Sequence, residues 1–236
     1  PLRILEAIRN WNPKIKYYQA SSSEMYGDVL EKHQNEETPF NPRSPYSCAK
    51  VFAHYIVKNY RESYNMFAVS GILFNHESPL RGEEFVTRKI TLGLVKILNG
   101  DLDCLELGNI NAKRDWGFAG DYVELMWKML QKKKPSDFVV ATGQHNSIKN
   151  FVDESLRVLN IKCKWVGSGI KTKLINLENN KTIIKINPKF FRPAEVNILH
   201  GDASRAEKEL KWKPRVNFKQ LVRLMIEDEI KFYKNF

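Results

Sequence analysis

The chain has 236 residues, enough for one ordinary domain or one domain with a small lobe. Apolar residues make up 42% and charged residues 28%, which excludes a disordered or collagen-like chain and leaves enough side chain for a core and a solvated coat. The formal charge of +11 points to anionic partners, nucleic acid or a phosphate-bearing small molecule, although 26 Lys against 12 Arg also reads as a compositional habit.

No apolar run approaches the ~20 residues a membrane helix needs. The first residues, Pro1-Leu-Arg-Ile-Leu-Glu6, lack the layout of a signal peptide and lack Met, so the chain is expected to begin inside a longer protein. Cys48, Cys104 and Cys163 are an odd, widely spaced set without C-x-x-C, which argues against a disulfide frame or a zinc knuckle and for a reducing cytoplasm.

In chain order, Leu2, Leu5 and Ile8 have helical spacing, ended by Asn12-Pro13. A strand is predicted over Ile15–Ala20, followed by a small-residue turn at Ser21–Ser23. The polar stretch Glu31–Arg43 reads as a loop. Ser44-Pro45 opens a helix to about Tyr64, with Ser as cap and Pro in the first turn. Met66–Leu73 reads as a buried strand and Asn75–Pro79 as a second loop. Helices are predicted at Phe85–Leu98, stopped by Asn99-Gly100, at Asp121–Gln131 and at Ser147–Leu159, where Ser147 is the candidate cap. Short strands are predicted at Leu102–Leu107 and Phe138–Ala141. The stretch Ile161–Lys189 is β-rich and hairpin-like, turning at Asn179-Asn180, and helices are predicted at Asp202–Leu210 and Phe218–Tyr233.

Strands alternating with helices argue for an α/β fold with a parallel sheet, and the later short pieces for a smaller C-terminal α+β lobe. The expected division is residues 1–75 as part of the sheet domain and 76–236 mainly as the lobe, with about 102–145 returning to the sheet.

Tyr46-Ser-Cys-Ala-Lys50 places a phenol and an ammonium one helical turn apart on one face. The cation stabilises the phenolate, which can then take a proton from a sugar hydroxyl. With nine Tyr and 26 Lys, about one such pair is expected by chance, so context has to decide. Ser22, Ser23 and Glu24 follow one predicted strand and Asn75-His76 follows the next. In an open parallel sheet, ligands bind at the carboxyl ends of strands. Taken alone, the serines read as a solvated turn and Glu24 as a helix-start charge.

The stretches Tyr18-Gln-Ala-Ser-Ser-Ser-Glu-Met-Tyr-Gly27, Thr38-Pro-Phe-Asn-Pro-Arg-Ser-Pro-Tyr46 and Leu73-Phe-Asn-His-Glu-Ser-Pro-Leu-Arg-Gly82 carry a resemblance. So do Phe85-Val-Thr-Arg-Lys-Ile-Thr91, Ala112-Lys-Arg-Asp-Trp-Gly117 and Phe190-Phe-Arg-Pro-Ala-Glu-Val196. Together they span essentially the whole chain. The chain resembles the extended short-chain dehydrogenase/reductase family and, within it, the GDP-mannose 4,6-dehydratases.

The resemblance implies a partial Rossmann-type sheet and an internal redox lyase that uses NADP, with NAD the less expected cofactor. Tyr46 matches the base at the C4 hydroxyl, and Lys50 matches the residue that supports it and binds the nicotinamide ribose. Glu24 matches the group that takes the C5 proton and helps expel the C6 hydroxyl, and Ser22 the hydroxyl residue beside the C4 oxygen. His76 and Arg81 match cofactor contacts. Ser23, Asn75, Val86, Lys89, Arg114, Arg192 and Glu195 match the GDP-sugar site, where a diphosphate calls for charge-assisted donors. The implied partners are GDP-mannose and further copies of the chain, as a dimer or tetramer, with neither nucleic acid nor membrane.

Two features depart from the pattern. No Gly-x-Gly-x-x-Gly turn occurs in the sequence, so roughly a hundred residues carrying it are expected to precede Pro1. Phe118 and Gly120 stand where the family commonly has His and Arg. Two other readings are a 4-epimerase, against which Glu24 speaks, or a different nucleotide-sugar dehydratase, and a basic nucleotide or RNA binder without chemistry. The second predicts strongly salt-dependent binding of polyanions.

Overall fold

Two segments with the same apolar facing, Leu5 and Ile8 on helix α1 (Leu2–Trp11) and Val57 and Tyr60 on helix α2 (Pro45–Tyr64), bury together with Met66 and Ala68. Ala68 opens strand β2 (Ala68–Leu73), all six residues of which are buried. Its next residue, Val69, packs into a different cluster with Tyr122, Leu125, Met129, Phe138, Ala206 and Trp212. Successive strand residues point to opposite faces, so β2 is covered on both sides. That is the reason its sequence reads as one apolar run rather than an alternation.

The computed structural model describes residues 1–29, 31–191 and 199–234. They divide into two compact units: Pro1–His76, Asp115–His145 and Ile198–Arg215 in the first, and Glu77–Arg114, Asn146–Asn197 and Val216–Phe236 in the second. The stretch 102–114 thus falls in the second unit and 115–145 in the first.

In the first unit β2 is the central strand of a parallel sheet between β1 (Tyr17–Ser22) and β7 (Phe138–Val140). The register pairs Ser22 with Leu73 and Leu73 with Val140, so the three strands end at a common edge. Helices α4 (Ala119–Gln131) and α6 (Ser204–Leu210) contribute Tyr122, Leu125, Met129 and Ala206 to the cluster on one face, and α1 and α2 pack on the other. The Trp212 indole donates to the Asp121 carbonyl at 2.9 Å, tying the segment after α6 to the start of α4. A short strand, β3 (Asn75–Glu77), follows β2 after Phe74, where the sequence reads as a loop; β6 (Trp116–Phe118) leads directly into α4. Strand β1 runs on through Ser22, so the expected turn begins two residues later than the small residues suggest.

The second unit packs helices α3 (Val86–Asn99), α5 (Ile148–Val158) and α7 (Phe218–Lys234) together, and α3 also contacts β4 (Leu105–Leu107). β4 belongs to a four-stranded sheet in the order β4-β11-β10-β9, with β9 at Cys163–Val166, β10 at Lys173–Asn176 and β11 at Thr182–Ile186. The β9–β10 and β10–β11 pairs are antiparallel, and the β11–β4 pair is parallel. The turn expected at Asn179-Asn180 is present, with Asn180 in the left-handed region. Gly100 ends α3 at φ +82°, a conformation that costs glycine nothing. Ser147 caps α5 through a reciprocal pair of bonds with Asn150, between the antiparallel strands β5 (Lys113–Arg114) and β8 (Asn146–Ser147) and the helix. Among the described residues no helix is long and apolar enough to cross a membrane.

Candidate active site

The carboxyl end of β1 carries the first cluster. Ser22 is the last strand residue, and its Oγ accepts from the Glu24 N–H at 3.2 Å. That bond starts a single 3-10 turn over Ser23–Met25, in which Ser23 and Met25 are buried while Ser22 and Glu24 stay half-exposed. Gly27 ends the turn at φ +55°, where an added Cβ would overlap the Asn41 carbonyl oxygen. The Met25 carbonyl accepts from the Asn41 N–H at 3.0 Å and the Tyr26 hydroxyl donates to the Asn35 carbonyl at 2.6 Å. The loop before α2 therefore holds the turn in place.

The start of α2 is set by Ser44, whose Oγ accepts from the Ser47 N–H at 3.1 Å, while the Ser47 hydroxyl oxygen accepts from the Ser44 N–H at 2.9 Å. Pro45 supplies the first-turn φ without losing a needed donor. This start puts Tyr46, Lys50 and His54 on one stripe of the helix. The Lys50 ammonium donates to the Ala20 carbonyl of β1 at 2.8 Å and lies 5.5 Å from the centre of the Tyr46 ring. Tyr46 is 55% exposed, so its phenol is open to a substrate. The turn bearing Glu24 packs directly on α2. Ser22, Ser23, Glu24, Tyr46 and Lys50 thus gather at one end of β1.

Asn75 and His76 follow β2 at the same sheet edge, because Ser22 and Leu73 are register partners in parallel strands. The His76 Nδ1 lies 2.9 Å from the Phe74 carbonyl, which can only accept, so that nitrogen is the donor of the pair. The ring stacks on Tyr122 at 5.3 Å.

The second unit holds four of the remaining candidates. The Arg81 Nε is 3.1 Å from the Glu77 carboxylate, and its guanidinium lies 3.6 Å from the Phe85 ring centre. Glu77 is buried and also accepts from the Thr87 hydroxyl at 2.6 Å, which joins the Arg81 loop to the first turn of α3. Val86 opens that helix, half-buried. Lys89, one turn on, sits 3.9 Å over the Phe190 ring, and burial pushes its ammonium pKa down against the pull of Glu106. Arg114 donates to the Lys113 carbonyl at 2.9 Å. Arg192 and Glu195 lie outside the described residues. Phe118 is half-buried at the end of β6, and Gly120 is exposed in the first turn of α4.

Three polar residues at the same sheet were not singled out by sequence. Asp115, fully buried, accepts from the Thr142 N–H, the Thr142 hydroxyl and the Gly143 N–H at 2.9, 2.7 and 2.9 Å. It thereby anchors the chain that leaves β7. Burial pushes its pKa up to about 6, and the three donors work against that rise. His54 is buried one turn beyond Lys50, a position that the Tyr-x-x-x-Lys spacing could have extended to. Asp137 bonds Arg61 from 76 residues away, and no local pattern announces such a pair. Among the described residues no cluster of His, Cys, Asp or Glu could hold a metal.

The family model of GDP-mannose 4,6 dehydratase matches residues 1–225. The GDP-mannose 4,6 dehydratase of Drosophila melanogaster is 52% identical over 237 residues, covering 99% of this chain and 60% of the fly protein. That of Dictyostelium discoideum is 51% identical over 236 residues, covering 99% and 66%. The chain therefore spans 60–66% of the length of these curated relatives. Among solved structures, RMD of Pseudomonas aeruginosa, complexed with NADPH, superposes with a TM-score of 0.81 at 20% identity, covering 98% of this chain and 71% of the other. At that identity the likeness concerns the fold, and it agrees with the parallel Rossmann-like sheet described above. With its matched motifs grouped at the sheet edge of the first unit and around α3 of the second, the chain belongs to the GDP-mannose 4,6 dehydratase family.

Proposed function

We propose that this chain carries the acid–base residues of a hydro-lyase that converts GDP-mannose to GDP-4-dehydro-6-deoxy-mannose and water. The observation that supports it most is the contact of Lys50 with both the Ala20 carbonyl and the Tyr46 ring, at the strand end that also bears Ser22 and Glu24. The curated relatives at about half identity carry that activity in their names.

Elimination of water across C5 and C6 needs an acidic C5 proton, and a ketone at C4 supplies that acidity. Tyr46, as phenolate, takes the C4 hydroxyl proton, and the Lys50 ammonium stabilises the phenolate charge. Ser22 donates a hydrogen bond to the C4 oxygen. Glu24 takes the C5 proton, and the same carboxyl returns it to the C6 hydroxyl, which leaves as water. When bound, NADP would supply the redox chemistry, as acceptor for the C4 hydride and donor to C6, while the proton that Tyr46 took from the C4 hydroxyl passes to C5, which restores the phenolate and closes the balance. The residues present fit one end of that cofactor. Lys50 has three N–H donors, of which the Ala20 carbonyl takes one, and Tyr46 stands open beside it, as a nicotinamide ribose requires. The 236 residues hold no glycine-rich turn for the pyrophosphate.

Residues Asn75, His76 and Arg81 complete the reading towards the cofactor and sugar, with Val86, Lys89, Arg114, Arg192 and Glu195 towards the GDP-sugar. The preference for NADP over NAD, a cytoplasmic location and a dimeric or tetrameric state belong to the same proposal. Large exposed side chains on α1 and α2 (Ile4, Trp11, Phe52 and Tyr55) support a subunit contact. The division of labour proposed for the chain follows: residues 1–75, with part of 102–145, serve the cofactor, and the rest of 76–236 mainly the nucleotide sugar.

The test joins this chain to the residues that precede the matched region in the Drosophila relative and follows GDP-mannose conversion with NADP or NAD. Tyr46→Phe should lower the rate at least ~100-fold, the scale of general-base removal. No conversion by the parent, or an unchanged rate in the variant, overturns the assignment.

A further inference from the structure

Behind the candidate site, the first unit contains a row of polar side chains that the reaction does not use. The Ser21 Oγ lies 3.1 Å from His54 Nδ1, and His54 Nε2 lies 4.0 Å from Asp137 Oδ2. Asp137 in turn accepts two bonds from the Arg61 guanidinium, each 2.7 Å, and one from the Ser70 N–H at 2.7 Å. Arg61 also donates to the Ala68 carbonyl at 3.0 Å, so the row is anchored on β2. A hydroxyl, an imidazole and a carboxylate in sequence suggest a nucleophile and its base. Burial excludes that use, since Ser21 is 2% exposed and His54 6%, and no substrate atom can reach the hydroxyl.

We propose that His54 is a positioning residue, which sets Ser22 and Glu24 against Tyr46 and Lys50 by holding the Ser21 hydroxyl to α2. The proposal rests on the catalytic reading given above for those four residues. Lys50 and His54 are neighbours on one helical stripe, and they hold successive residues of β1, the Ala20 carbonyl and the Ser21 hydroxyl. The next residue is Ser22, whose Oγ fixes the Glu24 N–H. The strand end and the helix are thus stapled twice, immediately before the residues whose separation matters.

The chemistry of the imidazole suits this role. Burial pushes its pKa down, outweighing Asp137, while Arg61 and Lys58 act in the same direction as burial. A neutral ring has one donor and one acceptor nitrogen. The carboxylate beside Nε2 favours the proton there, which leaves the Nδ1 lone pair to accept from the Ser21 hydroxyl. Phe40 and Tyr55 stand edge-on to the ring at 5.1 and 5.7 Å and limit its rotation.

The experiment uses the joined protein of the preceding test, without added cofactor, and reads amide hydrogen exchange together with imidazole nitrogen shifts. In the parent, His54 Nε2 should carry the proton and Nδ1 should not. His54→Phe removes the acceptor while keeping a ring, and should speed exchange at the Glu24 and Tyr26 amides about tenfold relative to Leu125 and Met129 in α4. His54→Asn puts an amide oxygen near the Nδ1 position and should stay within about twofold of the parent. Ser21→Ala removes the other partner and should repeat the effect of His54→Phe, which keeps the question open to measurement if the Phe variant does not fold. A proton on Nδ1, unchanged Glu24 exchange in both the Phe and the Ala variant, or equal loss in the Phe and Asn variants overturns the proposal. None of these readings depends on turnover. A chain that passes them and never converts GDP-mannose overturns the function, and leaves the staple standing.

Discussion

Replacing Asp137 by Ala should be among the most damaging single changes in the first unit. Its side chain is 12% exposed and that of Arg61 14%, so the pair is nearly out of water. Removing the carboxylate strands a guanidinium that had two 2.7 Å bonds, and losing one partner of a buried pair costs about 3–5 kcal/mol. The Ser70 N–H, on a fully buried strand, loses its acceptor as well, a loss of about 1–3 kcal/mol on its own. The two overlap, because both follow from one emptied site, and the expected total is about 4 kcal/mol. Domains of this size are stable by about 5–15 kcal/mol, so most of the margin would go. Urea unfolding reports it directly, with the buried Trp116 and Trp212 as fluorescent reporters of the first unit. The double variant Arg61→Met with Asp137→Ala removes the stranded charge and should recover about 2 kcal/mol. A loss under about 1 kcal/mol, or a double variant whose loss is the sum of the singles, would refute the argument that desolvation of Arg61 sets the cost.

Three further outcomes are expected. Gly27→Ala forces a Cβ into the left-handed region and against the Asn41 carbonyl, and should lower stability by at least about 1–3 kcal/mol in the same assay, with loss of protection at the neighbouring Tyr26 amide. Asp115 has a folded pKa of about 6, above its ordinary 3.8, so the fold favours its protonated form. That contribution is complete below about pH 4 and is lost as pH rises through about 6, roughly 3 kcal/mol in all; stability measured from pH 4 to 7 should show this slope in the parent and not in Asp115→Asn. Glu24→Gln keeps the size and the half-exposed setting of the side chain but cannot take a proton. In the joined protein it should lower GDP-mannose conversion about 100-fold and leave GDP-mannose affinity within about threefold, by turnover and calorimetry respectively.

Much of the fold is readable from local pattern, and the reasons are local. Ser44-Pro45, Ser147 and Gly100 mark helix ends through bonds to residues at most a few positions away. The all-apolar run in β2 signals a strand covered on both faces, and Asn179-Asn180 signals the turn of a hairpin. The differences also have local causes. Ser21 and Ser22 suit a turn by composition, yet pairing with Ile72 and Leu73 keeps them in the strand. Asn75–Glu77 suits a loop by composition and is held extended as a short strand. Tyr46, Lys50, Ser22 and Glu24 stand out as candidates from spacing and resemblance. His54, Asp137, Asp115 and Glu77 do not, because each does its work through a partner that local sequence does not mark.

By itself, the sequence determined the periodicities, the caps and the motif residues of this family, since each is a relation among near neighbours along the chain. The tertiary structure alone decided which residues those motifs meet. Lys50 reaches the Ala20 carbonyl across 30 residues and Arg61 reaches Asp137 across 76, and neither contact exists until a parallel sheet brings distant strands side by side. Buried charge and buried imidazole have no meaning in an unfolded chain, where water surrounds every group equally. Folding removes that water, and only then do Asp137, His54 and Asp115 require the hydrogen-bond partners they have in the first unit.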